Sequence, residues 1–359
     1  MLLAGDLAVV TASPPAGASR WPSAGPARAS TSSTVSYGLD SPDILAVDDG
    51  YLFVANAANN SVTELNATTG AFIRRLSSRA YGFDDPSAVR ADGSYVAVAN
   101  KMGDSVTVLL AKSGALVRVI REVGLAEPVA ISVYRSYLFV VNQAGSVSEV
   151  TTSTGKVYRT LTASRYHFSD PVASTLAGTN LYVVDETADD ASSYPGAVTV
   201  IAASTGRYLR TLSGSSFKFD HPTSIAFDGT HLWVTDSSDD QVAEVNAATG
   251  SEMNVVTNLW SPYPGFNGPT TVVASGGDAY VASSVGTPMM TQIFTSGSLP
   301  RVGFWMCNGN DPRYQFGVLS AVTVSGSNVW VASEAGNGYP GNSLTDINAS
   351  TGTFVRYVG

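Results

Sequence analysis

Two short stretches of the chain are crowded with carboxylates. One holds Asp185, Glu186, Asp189 and Asp190, the other Asp236, Asp239 and Asp240. Hard oxygen donors at such density could hold Ca2+ or another divalent cation, with Asp185, Asp189, Asp236 and Asp239 as candidate ligands. Their spacing matches no EF-hand loop, and Asp also suits polar turns, where it accepts hydrogen bonds from nearby backbone. Both readings stay open, and nothing else in the sequence requires a cofactor. Of the three histidines, His231 opens a β-rich run and reads as structural. His167 and His221 fall in loops, where either could serve as a general base beside Asp185 or Asp236. The lone cysteine, Cys307, has no neighbouring histidine to activate it and reads as a buried apolar thiol. No nucleophile elbow, phosphate loop or His-rich metal motif occurs. A second set is aromatic: Tyr194, Trp260, Tyr263, Trp305, Tyr314 and Tyr339. Such side chains supply large amphipathic contacts in binding sites, or pack the rims of long loops.

These residues hang on a repeat. A proline recurs at 42, 86, 128, 171, 222 and 269, with Leu319 in the seventh copy. A strand-like run follows each one. A second run ends at Asn56, Asn100, Asn142, Asp185, Asp236, Ser283 and Ser333. A small-residue turn with Gly70, Gly114, Gly155, Gly206, Gly250, Gly297 or Gly352 precedes the last run. In the fifth copy the turns predict strands at Thr223–Phe227, His231–Thr235, Gln241–Val245 and Glu252–Val256. Four strands per repeat of this length predict an all-β, seven-bladed β-propeller with four antiparallel strands per blade. Residues 34–359 then form one domain. The stretch 1–33, rich in Ala, Ser, Pro and Gly, reads as a disordered linker or the remnant of an export signal.

The strand ends FVAN, AVAN, YVVD and WVTD, with the DG–LWVTD–N–ATG pattern of the fifth copy, resemble the bacterial YVTN/NHL propellers. That group includes YncE-like and streptogramin-lyase-like proteins. In the lyases, the resemblance implies a histidine after the blade-opening proline and a glutamate at the end of strand two. Here the positions after the prolines are Asp43, Ser87, Val129, Val172, Thr223 and Thr270. Asp185 and Asp236 occupy the carboxylate position.

Several features depart from the repeat. Arg90 stands where other copies carry Ala, Ser, Thr or Val, and could contact an anion or pair with an acid. Extra loop residues accumulate on the face bearing the loops after strand two and the loops between blades. They include 186–195, 288–290, 334–341 and the segments leading into blades 6 and 7, where Trp260, Tyr263, Trp305, Cys307 and Tyr314 are expected. By contrast, a large apolar residue three places before each proline (Leu39, Phe83, Leu125, Phe168, Phe219, Phe266) and Phe316 in blade 7 serve as inter-blade wedges. The formal net charge of −9 and the scarcity of basic clusters argue against nucleic acid and anionic membranes, and no apolar run is long enough for membrane insertion. The expectation is a monomeric, extracellular, periplasmic or cell-surface module. It would bind a small molecule, glycan or protein through the elaborated face of blades 4–7. The alternative is a lyase- or lactonase-type enzyme with an acidic, divalent-metal site at the channel mouth.

Overall fold

Proline has no N–H to give to a ladder and suits the first residue of an edge strand. The repeat uses it that way: strand one of successive blades runs Pro42–Asp48, Pro86–Asp92, Pro128–Tyr134, Pro171–Ala177, Pro222–Phe227 and Pro269–Ser275, and Val318–Ser325 in blade 7. The computed structural model describes residues 36–187, 195–257, 266–294, 301–308, 311–336, 338–339 and 341–359, without the side chains of 163, 164, 301, 304 and 305. The expected linker 1–33 lies outside them.

The described residues form seven four-stranded antiparallel sheets, each built from four consecutive strands in the order one-two-three-four. They span 42–76, 86–120, 128–162, 171–213, 222–257, 269–307 and 318–358. Blade 5, with strands Pro222–Phe227, His231–Asp236, Gln241–Asn246 and Glu252–Thr257, matches the sequence reading to within a residue at each end. None of the described helices is long and apolar enough to cross a membrane.

A sheet buried on both faces is stable only against its neighbours. The core is accordingly divided into seven clusters, each shared by two adjacent blades, with the last joining blade 7 to blade 1. The wedges lie in these clusters. Phe219 and Phe316 are fully buried, and the ring two residues earlier stacks on each: Phe217 on Phe219 at 5.4 Å and Tyr314 on Phe316 at 5.2 Å.

Between blades a second device recurs. An arginine of strand four reaches the carbonyls of the small-residue turn of the next blade: Arg74 to Lys112, Arg118 to Ser153, Arg159 to Thr205, Arg210 to Ala247 and Ala248, and Arg356 to Thr69. The turn glycine must take positive φ, and a Cβ there would strike the same arginine, as at Gly206 against Arg159.

Among the described residues no strand is exchanged between the first and last blades, and side-chain hydrogen bonds join them. Trp330 Nε1 donates to the Ala67 carbonyl at 2.8 Å, Ser320 Oγ to the Pro42 carbonyl at 2.6 Å, and Ser41 N to Asn342 Oδ1 at 3.1 Å.

Candidate functional site

Strands one and two are antiparallel, so the residue before each blade-opening proline meets the residue after strand two. Backbone hydrogen bonds join these positions: Glu186 N donates to the Asp170 carbonyl at 3.0 Å, Ser237 N to His221 at 3.0 Å, and Lys101 N to Asp85 at 2.9 Å. The positions circle one mouth of the ring, on the face with the inter-blade loops. Acids outnumber the one lysine, Lys101, there: Asp85, Glu127, Asp170, Glu186 and Glu334, with Asp43 one residue past its proline.

The strand-two ends lie beneath this rim. Asp236 is fully buried and accepts N–H bonds from Asp220 (2.7 Å), His221 (3.1 Å), Ser238 (3.3 Å) and Asp239 (3.4 Å). Asp185, also buried, accepts from Ser169 (2.8 Å) and Asp170 (3.1 Å). Burial pushes its carboxyl up, against those backbone donors. Both aspartates thus hold the loop entering their own blade. Asp239 is exposed in the turn; partial burial and then the charges of Asp236 and Asp220 push it up. Asp189 lies outside the described residues. Among the described residues no three His, Cys, Asp or Glu converge to hold a metal ion.

The histidines separate. His231 Nδ1 sits 3.2 Å from Asp228 and 3.4 Å from Glu244 on the opposite face. His167 is exposed with φ near +60°, and His221 points to the mouth. Its Nε2 lies 3.9 Å from Glu186 Oε1, while its Nδ1 and Asp170 Oδ1 are buried atoms with no hydrogen-bond partner. Burial pushes Glu186 up; His221 opposes and Asp170 reinforces that shift. Asp170, Glu186 and His221 thus form an acid–base group between blades 4 and 5. Sequence reasoning named His221 and, within the acidic stretch of blade 4, Glu186, but not Asp170, whose signal was its position beside the repeat marker.

The aromatic set does not assemble among the described residues. Tyr314 is 5% exposed and donates its hydroxyl to the Gly352 carbonyl at 2.6 Å, so it is one of the wedges. Trp305 and Cys307, expected in a loop, lie instead in strand four of blade 6, Arg301–Cys307, where Thr291 pairs with Trp305 and Met289 with Cys307. A register shift between Thr291 and Ile293 carries the ladder past that point. Cys307 is buried. Tyr339 is half-buried in a tight bridge with Gly336. Tyr194, Trp260 and Tyr263 lie outside the described residues. Arg90 is exposed on strand one of blade 2, and no described carboxylate is within ion-pair distance of it.

A carboxyl pair at the same mouth escaped the sequence reading. Strand one of blade 1, which carries Asp43, packs against strand two of blade 7, which ends at Glu334. Burial first, then Glu334 and the charge of Asp85, push Asp43 up to about 8. The signal was an acid where Ser87, Thr223 and Ser320 carry hydroxyls.

A family profile described as outer membrane protein assembly factor BamB, of the PQQ_2 type, matches residues 6–254. The chain belongs to this PQQ_2/BamB family. Such propellers are generally binding scaffolds. The structure is similar to BamB from Moraxella catarrhalis, at 18% identity and a TM-score of 0.51, covering 80% of this chain and 79% of that one. It is also similar to hydrazine synthase from Kuenenia stuttgartiensis, at 16% identity and a TM-score of 0.69, covering 91% and 99%. The computationally designed protein Ika8 matches at 14% identity and a TM-score of 0.58, covering 88% and 86%. At these identities the likeness extends to the fold alone. No match was found among curated protein sequences.

Proposed function

We propose that the chain is an exported, monomeric, non-catalytic binding module whose partner docks on the face bearing the inter-blade loops, blades 4–7 included. The observation that carries this reading is the acidic mouth. Asp85, Glu127, Asp170, Glu186 and Glu334 recur at equivalent rim positions, where Lys101 is the one lysine or arginine. Carboxylates around a concave, low-dielectric opening focus a negative potential. The partner is therefore cationic: a basic small molecule or a Lys/Arg-bearing segment of a protein. The YVTN-like strand ends act in this reading as loop anchors.

A fluorescent decalysine peptide tests it. Wild-type protein should bind the peptide at low salt and release it as NaCl rises, because the Debye length shrinks. Glu127→Gln, Asp170→Asn and Glu186→Gln together should weaken binding at least about tenfold, the effect of ~1.4 kcal/mol. A triple variant that binds as tightly as wild type sinks the reading.

The contact between His221 and Glu186 favours a second reading, a lactonase or lyase that uses this pair for proton transfer. Turnover of a lactone panel by wild type, lost in His221→Gln, would replace the first reading with this one.

A further inference from the structure

The arginine clamp between blades is interrupted at two places. The strand-four position that carries it holds Asn254 in blade 5 and Phe304 in blade 6, where Phe304 adjoins the Thr291–Trp305 pair of the ladder. Asn254 turns to its own blade and donates to Glu244 at 2.6 Å. A phenyl group has nothing to donate. Blade 6 therefore sends no guanidinium from this position to the Ala349–Gly352 turn of blade 7.

Blade 7 shows what the clamp completes. Asn328, the first residue of strand two, donates its amide to both oxygens of Asp346 on strand three, at 2.8 and 2.7 Å. Arg356 Nε lies 2.9 Å from Asp346 Oδ2, and the same guanidinium reaches the Thr69 carbonyl of blade 1. Blade 6 keeps the amide–carboxylate pair with its members exchanged. Asp278 now opens strand two, and Gln292 of strand three faces Tyr280 as Asp346 faces Trp330. Gln292 Nε2 donates to Asp278 Oδ2 at 2.8 Å and to the Tyr280 hydroxyl at 3.2 Å. The pair lacks its cation: no described Lys, Arg or His lies within ion-pair distance of Asp278. Gln292 is 1% exposed, and its Oε1 is buried without a hydrogen-bond partner.

A groove of about 200 Å³ opens at this place, between blades 6 and 7 on the face opposite the acidic mouth. Asp278 and Tyr280 line it from blade 6, and Val324, Ser327, Ala349 and Ser350 from blade 7. We infer that this groove is a binding site for a small guanidinium compound, which supplies the cation that Arg356 supplies at the next seam. A guanidinium presents N–H groups in a planar fork, so one head can meet the Asp278 carboxylate and the turn carbonyls of blade 7 together. The groove is smaller than a pocket for a drug-sized molecule, which limits the ligand to one charged head on a short apolar stem. This site does not depend on the binding reading of the mouth.

Isothermal titration of the wild-type protein with n-butylguanidinium chloride should show one site with a Kd on the order of 1 mM, and the uncharged n-butylurea should bind at least about tenfold more weakly. Asp278→Asn should weaken n-butylguanidinium binding at least about tenfold. Ser327 is exposed at the groove, so Ser327→Trp should block it to the same extent, and it decides the matter if Asp278→Asn does not fold. The triple variant of the mouth should bind n-butylguanidinium as wild type does. Equal binding of the two probes, wild-type affinity in a folded groove variant, or no binding up to about 50 mM overturns the proposal. Loss of binding in the triple variant also overturns it, by placing the cation at the mouth.

Discussion

At the scale of single residues, the most informative side chains are those that connect blades while neutralising a buried charge. Glu149 of blade 3 is buried at 2% side-chain exposure, and Arg159 lies 2.5 Å from it while keeping 24% of its own side chain exposed. Burial pushes Glu149 up, and the arginine pulls it back. The same guanidinium reaches the Thr205 carbonyl of blade 4. Removing it leaves a desolvated carboxylate and an unlinked turn. Arg159→Leu should cost about 3 kcal/mol, the low end for a broken buried pair because the arginine is partly solvated. Glu149→Leu with Arg159→Leu should lose less than Arg159→Leu alone. Urea denaturation measures both, and a double variant weaker than the single one would mean that the turn contact matters more than the charge.

At the scale of elements, the end of strand two and the start of strand three are chosen together. Asn56, Asn100 and Asn142 face Ser61, Ser105 and Ser146 in the ladder, whereas Asp185 and Asp236 face Ala197 and Gln241. The amide explains the pairing. Asn56 Nδ2 donates to Ser61 Oγ at 3.3 Å and Thr63 Oγ1 at 3.2 Å, while its Oδ1 accepts from Asp40 N at 3.2 Å. Where the facing strand-three residue has no hydroxyl to receive a donor, an acceptor-only carboxylate does better, and Asp236 takes four backbone N–H groups. Asn56→Asp should therefore destabilise on the order of 3 kcal/mol, by burying a charge opposite hydroxyls that had received a donor. Asp236→Asn, which keeps one acceptor, should cost less. Thermal melts rank the two, and the reverse order would overturn the account.

At the scale of the whole molecule, burial raises many carboxyls at once. Asp346 is pushed up to about 6 despite Asn328 and Arg356, and Glu64, Glu149, Asp185, Glu186, Glu252 and Asp278 also shift upward. Asp228 and Asp311 shift downward, held by hydrogen bonds to their charged forms. The folded ring therefore binds more protons than the unfolded chain between about pH 4 and 6, and stability falls as pH rises through that range. The Tm should be higher at pH 5 than at pH 7, and Asp346→Asn should flatten the change. A Tm that climbs from pH 5 to 7 would sink this account, since mutual repulsion of the −9 net charge also grows with pH. It would mean that the buried acids are better compensated than their surroundings indicate.

The sequence by itself determined the architecture because the information is local and repeated. Proline, Asp-Gly and Ala-Thr-Gly signals set strand boundaries in each copy, and the wedge column is visible as a large apolar residue at a constant distance from the proline. Tertiary structure decided the rest, because the rest depends on which copies become neighbours. The arginine clamps join a strand to a turn in the next blade. The hydrogen bonds from Trp330 to Ala67 and from Ser320 to Pro42 join the two ends of the ring, so no local pattern connects their members. Tyr314 looked the same to sequence reasoning as a rim aromatic or a wedge, and only its stacking and burial assign it to the core. Trp305 and Cys307 looked like loop residues until the ladder of blade 6 was seen to continue through them. The strand-two aspartates looked like possible ligands or catalysts from their density, and only the backbone amides around them reveal what each carboxylate holds.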